Sequence, residues 1–122
     1  MSACVPSGLV NSNVAFIKSP DILESKDSQE ITTLALAGLI NTGVNEESGD
    51  ALISIYDFKS YTEQGAQAAP IMKQFIQVSK IKNNEIVTFS VPNQMALKAG
   101  RYIVVIQTSK ETVRGNIISV KR

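Results

Sequence analysis

Short apolar stretches recur along the whole chain, and turn-forming residues interrupt them about every 8–15 residues. That rhythm suits antiparallel strands and leaves no room for long helices. Val14-Ala15-Phe16-Ile17 is stopped by Pro20, which suits an edge strand. Residues 31–40 are continuously apolar and read two ways. Leu34, Ala35, Leu36 and Ala37 favour helix, whereas Ile31, Thr32, Thr33 and Ile40 favour strand. Ten residues without a capping box make a poor helix, so a strand is expected there. Residues 43–50 read as a turn, and 51–58 as a strand with Ser54, Tyr56 and Phe58 on one face and Ile53 and Ile55 on the other. Residues 59–70 are the longest connection, with one helical turn expected around 64–69. Strands follow at 71–81, 85–91, 101–108 and 115–121, with Val87, Phe89 and Val91 sharing a face and Tyr102, Val104 and Ile106 pointing inward. The fold class expected is an all-β, antiparallel, seven-stranded sandwich over residues 14–122, preceded by an extended N-terminal arm at 1–13 that is rich in Ser, Asn, Gly and Pro.

A chain of 122 residues is the size of one domain. With 43% hydrophobic and 19% charged residues, it fits neither a disordered tail nor a membrane span. Histidine is absent, and Cys4 is the one cysteine. Ser-His-Asp triads, Cys-His pairs, His-ligated metals and an intrachain disulfide are therefore all excluded. No enzymatic activity and no cofactor are expected. Residues 1–58 carry two lysines against eight acids, and residues 59–122 carry ten basic residues against three acids. Folding either interleaves the halves or leaves unlike faces suited to head-to-tail contacts between copies.

The N-terminus lacks the basic and apolar regions of a secretory signal. Ser2-Ala3-Cys4 does resemble the end of a lipoprotein cleavage site, in which case Cys4 carries a lipid anchor. Otherwise it is a free thiol in a reducing compartment.

One local motif is informative. Leu97-Lys98-Ala99-Gly100-Arg101-Tyr102 joins two strands that must lie in different sheets. Leu97 plugs the core, Gly100 allows the tight backbone, and the Tyr102 phenol can satisfy a backbone group upstream. This resembles the tyrosine corner of immunoglobulin-like and fibronectin type III-like sandwiches. The resemblance implies strands A 14–18, B 30–40, C 51–58, C′ 71–81, E 85–91, F 101–108 and G 115–121. The chain departs from antibody-type domains: it has no Trp, and Val104 stands where the second cysteine would be. The broader superfold remains, and it hosts many functions.

Other candidate chemistry is weak. Glu46, Glu47 and Asp50 fall in one expected turn, but their spacing matches no EF-hand loop, and a solvated acidic turn explains them better than Ca²⁺. No apolar pocket is evident to split two carboxylates into acid and base, so glycoside hydrolysis is not expected. Lys73, Lys80 and Lys82 on the expected C′ strand suit the protection of a sheet edge. Only Phe75 is near them, so the aromatic interleaving of a nucleic-acid surface is missing.

Strands C and F look apolar on both faces. Ile53 and Ile55 on C, and Ile103 and Val105 on F, are taken as outward-facing. Their cover is either the 59–70 loop, the N-terminal arm or another chain. Together with Tyr61, Gln64 and Gln67 of the long loop they form the candidate interaction set. Single immunoglobulin-like domains of this description resemble the decoration or auxiliary proteins of bacteriophage capsids and tails. That resemblance implies a non-catalytic assembly protein of the virion, whose partners are capsid or tail subunits or copies of itself, with no nucleic acid and, unless Cys4 is lipidated, no membrane. The alternative is a bacterial cell-surface or periplasmic binding module anchored at Cys4 that recognises protein or carbohydrate, with Tyr56, Phe58 and Tyr61 as its aromatic candidates.

Overall fold

A computed structural model of the chain describes residues 5–18, 22–24, 33–92 and 97–121. In chain order the elements are β1 (Ser12–Lys18), β2 (Ile22–Glu24), β3 (Thr33–Asn41), β4 (Glu47–Asp57), α1 (Phe58–Gln64), β5 (Met72–Ile81), β6 (Ile86–Pro92), β7 (Gly100–Gln107) and β8 (Thr112–Lys121). One sheet has the order β1-β3-β6 and the other β2-β8-β7-β4-β5. All pairings are antiparallel except that of β2, which runs parallel to β8. The architecture is an antiparallel seven-stranded sandwich with β2 added at one edge. The three residues Ile22-Leu23-Glu24 are too few to carry a readable alternation, which is why β2 escapes a sequence reading.

The core lies between the sheets. Val14, Leu34, Ala37, Leu39 and Val91 from one sheet meet Ile53, Ile55, Val104, Ile106 and Ile118 from the other. The ambiguous segment is the strand β3, set between β1 and β6. Leu34, Ala35, Ala37 and Leu39 are buried, so packing overrides helix propensity there.

Strand β4 begins at Glu47 rather than at residue 51. Gly49 makes the early start possible. Its backbone lies against that of Gly8, and a Cβ on Gly49 would meet the Ser7 carbonyl oxygen at 2.2 Å. The Asp50 amide donates to that same carbonyl at 2.9 Å. The N-terminal residues are therefore docked on their own domain. Leu9 is in the core, the Glu47 carboxylate accepts from the Asn11 amide (2.8 Å) and the Ser12 hydroxyl (2.6 Å), and Glu111 accepts from the Val14 amide (3.0 Å). Within residues 5–13 there is no free-reaching arm, and β1 already starts at Ser12.

The helix also lies earlier than expected. Asp57 accepts from the Ser60 amide at 3.0 Å and so caps α1, which ends at Gly65; a 3-10 turn, Gly65–Gln67, follows.

Between β6 and β7 the chain changes sheets. There the Tyr102 hydroxyl donates to the Lys98 carbonyl at 2.8 Å, beside the buried Leu97, and Gly100 has φ 155°. Tyr102→Phe removes that bond while keeping the ring, so urea unfolding should show a loss of about 1–3 kcal/mol. An unchanged midpoint would mean that the phenol contributes nothing to the corner.

Candidate functional site

The register fixes which side chains share a face. Ile53 pairs with Ile106 and Ile55 with Val104, all of them core residues. Ile53 and Ile55 therefore face inward, at 0% and 2% exposure, which corrects the outward assignment. The outer face of β4 is instead Leu52, Ser54 and Tyr56. An alternation establishes two opposite sides without saying which is the core. Here the side matched to Val104 and Ile106 is the buried one.

Ile103 and Val105 do lie on the outer side, opposite Tyr102, Val104 and Ile106. They share it with Tyr56 and Ser54 of β4, and with Ile117 and Arg114 of β8. Across β4 the same face continues to Lys73 and Phe75 of β5. Part of the cover is intramolecular. Helix α1 packs on β4 and β7, and Tyr61 stacks on Tyr56 with ring centroids 4.8 Å apart and a 45° tilt. That mutual stacking leaves neither ring free as a sugar platform. Gln64 and Gln67, at the end of α1 and in the turn after it, are exposed.

One register row crosses this sheet as Arg114, Val105, Ser54 and Lys73, one residue from each of β8, β7, β4 and β5. Both cations are exposed, and among the described residues neither side chain has a hydrogen-bond or ion-pair partner. Ser54 between them is only 5% exposed, and its hydroxyl has no hydrogen-bond partner among the described residues. Sequence reasoning missed this row because it joins four strands through pairing that no local pattern encodes.

The opposite sheet also has an outer face that the sequence reading passed over. Ala15, Gly38 and Thr88 share one register row there, and Ile40 and Ile86 share the next. A bulge between Phe16 and Lys18 turns Ile17 onto the same side. Ile17 fills the space that a side chain at position 38 would need: a Cβ on Gly38 would lie 3.0 Å from Ile17 Cδ1 and 3.8 Å from Ile86 Cγ2. Ile17 and Ile86 nevertheless remain 56% and 62% exposed.

The acidic residues 46–50 do not gather into a turn. Glu47 and Asp50 belong to β4, with Glu47 holding the N-terminal residues. Among the described residues no group of three or more Asp, Glu, Cys or His side chains is placed to hold a metal ion. The β5 lysines do not form one row either. A bulge at Lys80, with φ 52°, puts Val78 and Ile81 on the same buried side and breaks the alternation. Cys4 lies outside the described residues.

The fold and these surfaces define an all-β sandwich with two unlike outer faces, one with exposed isoleucines and one bearing cations that have no ion-pair partner among the described residues. The chain matches no known family model and no curated protein.

Proposed function

We propose that this chain is a non-catalytic assembly domain that docks onto a larger protein assembly, in the manner of the auxiliary domains on bacteriophage capsids or tails. The observation that carries the reading is the apolar outer face of the three-stranded sheet. Ile17 and Ile86 stand exposed over Gly38, beside the half-buried Leu36 and Ile40. A contiguous apolar patch of this kind on a small domain marks an interaction site. Ile17 and Ile86 stand on the two edge strands of that sheet, β1 and β6, on either side of β3.

The test is cosedimentation with purified capsid or tail particles from the same source. The wild-type chain pellets with the particles. The Ile17→Glu/Ile86→Glu variant stays in the supernatant while its circular dichroism is unchanged, because both side chains lie on the surface. A wild-type chain that remains a monomer in the supernatant with every particle component contradicts the proposal.

A further inference from the structure

We propose that β6 is a self-pairing edge. Two copies of this chain join antiparallel through it, with Thr88 facing Thr88 of the second copy, so that their three-stranded sheets become one sheet of six strands. The proposal goes beyond particle docking, because it needs neither a particle nor the exposed Ile17 side chain.

Three observations carry it. The first is an open row of backbone groups. The Asn41 amide donates to the Glu85 carbonyl at 3.3 Å, so these two residues form a hydrogen-bonded pair. Bonded and non-bonded pairs alternate along an antiparallel ladder. From Ile40↔Ile86 to Ala35↔Val91 the ladder runs without a bulge. Val87, Phe89 and Val91 therefore direct their amides and carbonyls to β3, and Ile86, Thr88 and Ser90 direct theirs away from the sheet. β6 has no neighbouring strand on that side, all three residues are exposed, and among the described residues nothing bonds their amides. The second observation is that the other edges are guarded. On β1 the Val14 amide donates to Glu111 and the Ser12 amide to the Leu9 carbonyl. β2 is only three residues long. β5 carries exposed Lys73 and Lys80 and the bulge at Lys80. Short strands, lysines and bulges all block edge pairing, and β6 has none of them between Ile86 and Val91. The third is self-complementarity. A two-fold axis at Thr88 sets Ile86 opposite Ser90 of the second copy, and each such pair exchanges two backbone bonds. Pro92, which has no amide to donate, stays outside this ladder; an axis at Phe89 would set it opposite Ile86. Threonine facing threonine is a favourable cross-strand pair. No charged residue lies between Ile86 and Pro92, and the two Glu85 positions end up six residues apart along the strands, about 20 Å.

The size of the contact sets its strength. The paired stretch from Ile86 to Ser90 is about 17 Å long and one strand wide. That lies below the total of about 1,200 Å² at which stable interfaces begin, so the dimer is weak and forms with rising concentration. The exposed isoleucines of both copies then stand on one continuous sheet surface.

Sedimentation velocity over a concentration series tests it, with a dimer of dissociation constant on the order of 100 μM expected. Thr88→Lys places two ammonium groups across the axis, and Thr88→Pro deletes an amide that β3 does not use. Each weakens the dimer by about tenfold or more. Circular dichroism reports whether they fold, and Thr88→Lys keeps the backbone amide should the proline variant not fold. In a Cys4→Ser background, Thr88→Cys crosslinks the two copies on oxidation, because facing residues of a bonded pair have Cα atoms about 5.5 Å apart. Ser90→Cys, about 13 Å from its counterpart along the strands, does not. Ile17→Glu leaves self-association unchanged, so failure here is distinguishable from failure of particle docking. Hydrogen exchange at the Ile86, Thr88 and Ser90 amides is fast in dilute chain and slows as the dimer forms. A chain that stays monomeric up to about 1 mM, a dimer indifferent to both Thr88 variants, or Ser90→Cys crosslinking as readily as Thr88→Cys overturns the proposal. Slow exchange of these amides already in the monomer means that the chain fills its own edge. Slowing only when a particle is added means that another protein's strand does. Either result also overturns self-pairing.

Discussion

Ile53→Ala lowers the free energy of unfolding by about 2–5 kcal/mol, the cost of deleting a fully buried aliphatic side chain and leaving a cavity. Ile53 is 0% exposed and pairs with Ile106 across β4 and β7, in the middle of the intersheet core. A domain of this size has about 5–15 kcal/mol in total, so the substitution removes a large share of it. Urea unfolding measures the loss as a lowered midpoint at unchanged slope. A loss under about 1 kcal/mol would contradict the burial of Ile53 in the core, because surface truncations fall in that range. The prediction also separates stability from binding. Ile53 affects any partner only through the fraction of folded protein, whereas Ile17 and Ile86, at 56% and 62% exposure, lie where a partner can reach them.

Asn41→Ala is expected to cost about 3 kcal/mol or more. The Asn41 side chain is 0% exposed and makes three hydrogen bonds. Its amide donates to the Asn45 carbonyl at 2.8 Å and to the Ile81 carbonyl at 2.8 Å, and its oxygen accepts from the Gly43 amide at 2.8 Å. One side chain therefore holds the loop after β3 to the end of β5, tying the two sheets together. Alanine leaves these backbone groups without their partner, at about 1–3 kcal/mol for each one that water does not reach. Asn41→Asp is the more damaging change. A carboxylate is acceptor-only, and it would face two carbonyl oxygens while carrying a buried charge. Thermal and urea unfolding of both variants check the order. If Asn41→Asp proves as stable as the wild type, the amide does not donate to the Ile81 and Asn45 carbonyls.

The strands were legible wherever one face alone is apolar. Val87, Phe89 and Val91 in β6 alternate with polar residues and lie on the inner side, whereas in β7 the inward Tyr102, Val104 and Ile106 were legible through the corner motif, since Ile103 and Val105 make its other face apolar too. Strand β4 was legible as a strand but not in its direction, because Leu52 through Ile55 is nearly apolar on both sides and Tyr56 competes with Ile55 for the core. Bulges hid more. The one after Phe16 turns Ile17 outward, and the one at Glu47 and Gly49 lets turn-forming residues continue β4. Residues 47–50 read as a loop because Gly49 looks like a turn, whereas it is there to let Gly8 approach. The start of α1 was visible in principle. Asp57 three residues before Ser60 is a capping signal, but a helix this short buries no residue of its own and leaves no periodic pattern. The row from Arg114 to Lys73 had no local signature at all. Those residues lie far apart in the chain, and only the pairing of β8, β7, β4 and β5 sets them on one line.

Isoleucine-methyl NMR of the chain, recorded alone and with the particle it cosediments with, decides whether its surfaces do its work. Ile17 and Ile86 should broaden or shift on docking, while the core reporters Ile53, Ile81, Ile106 and Ile118 stay in place. Unmoved signals from Ile17 and Ile86 in a bound chain, or changes confined to the core isoleucines, would contradict a rigid sandwich that docks through its outer face.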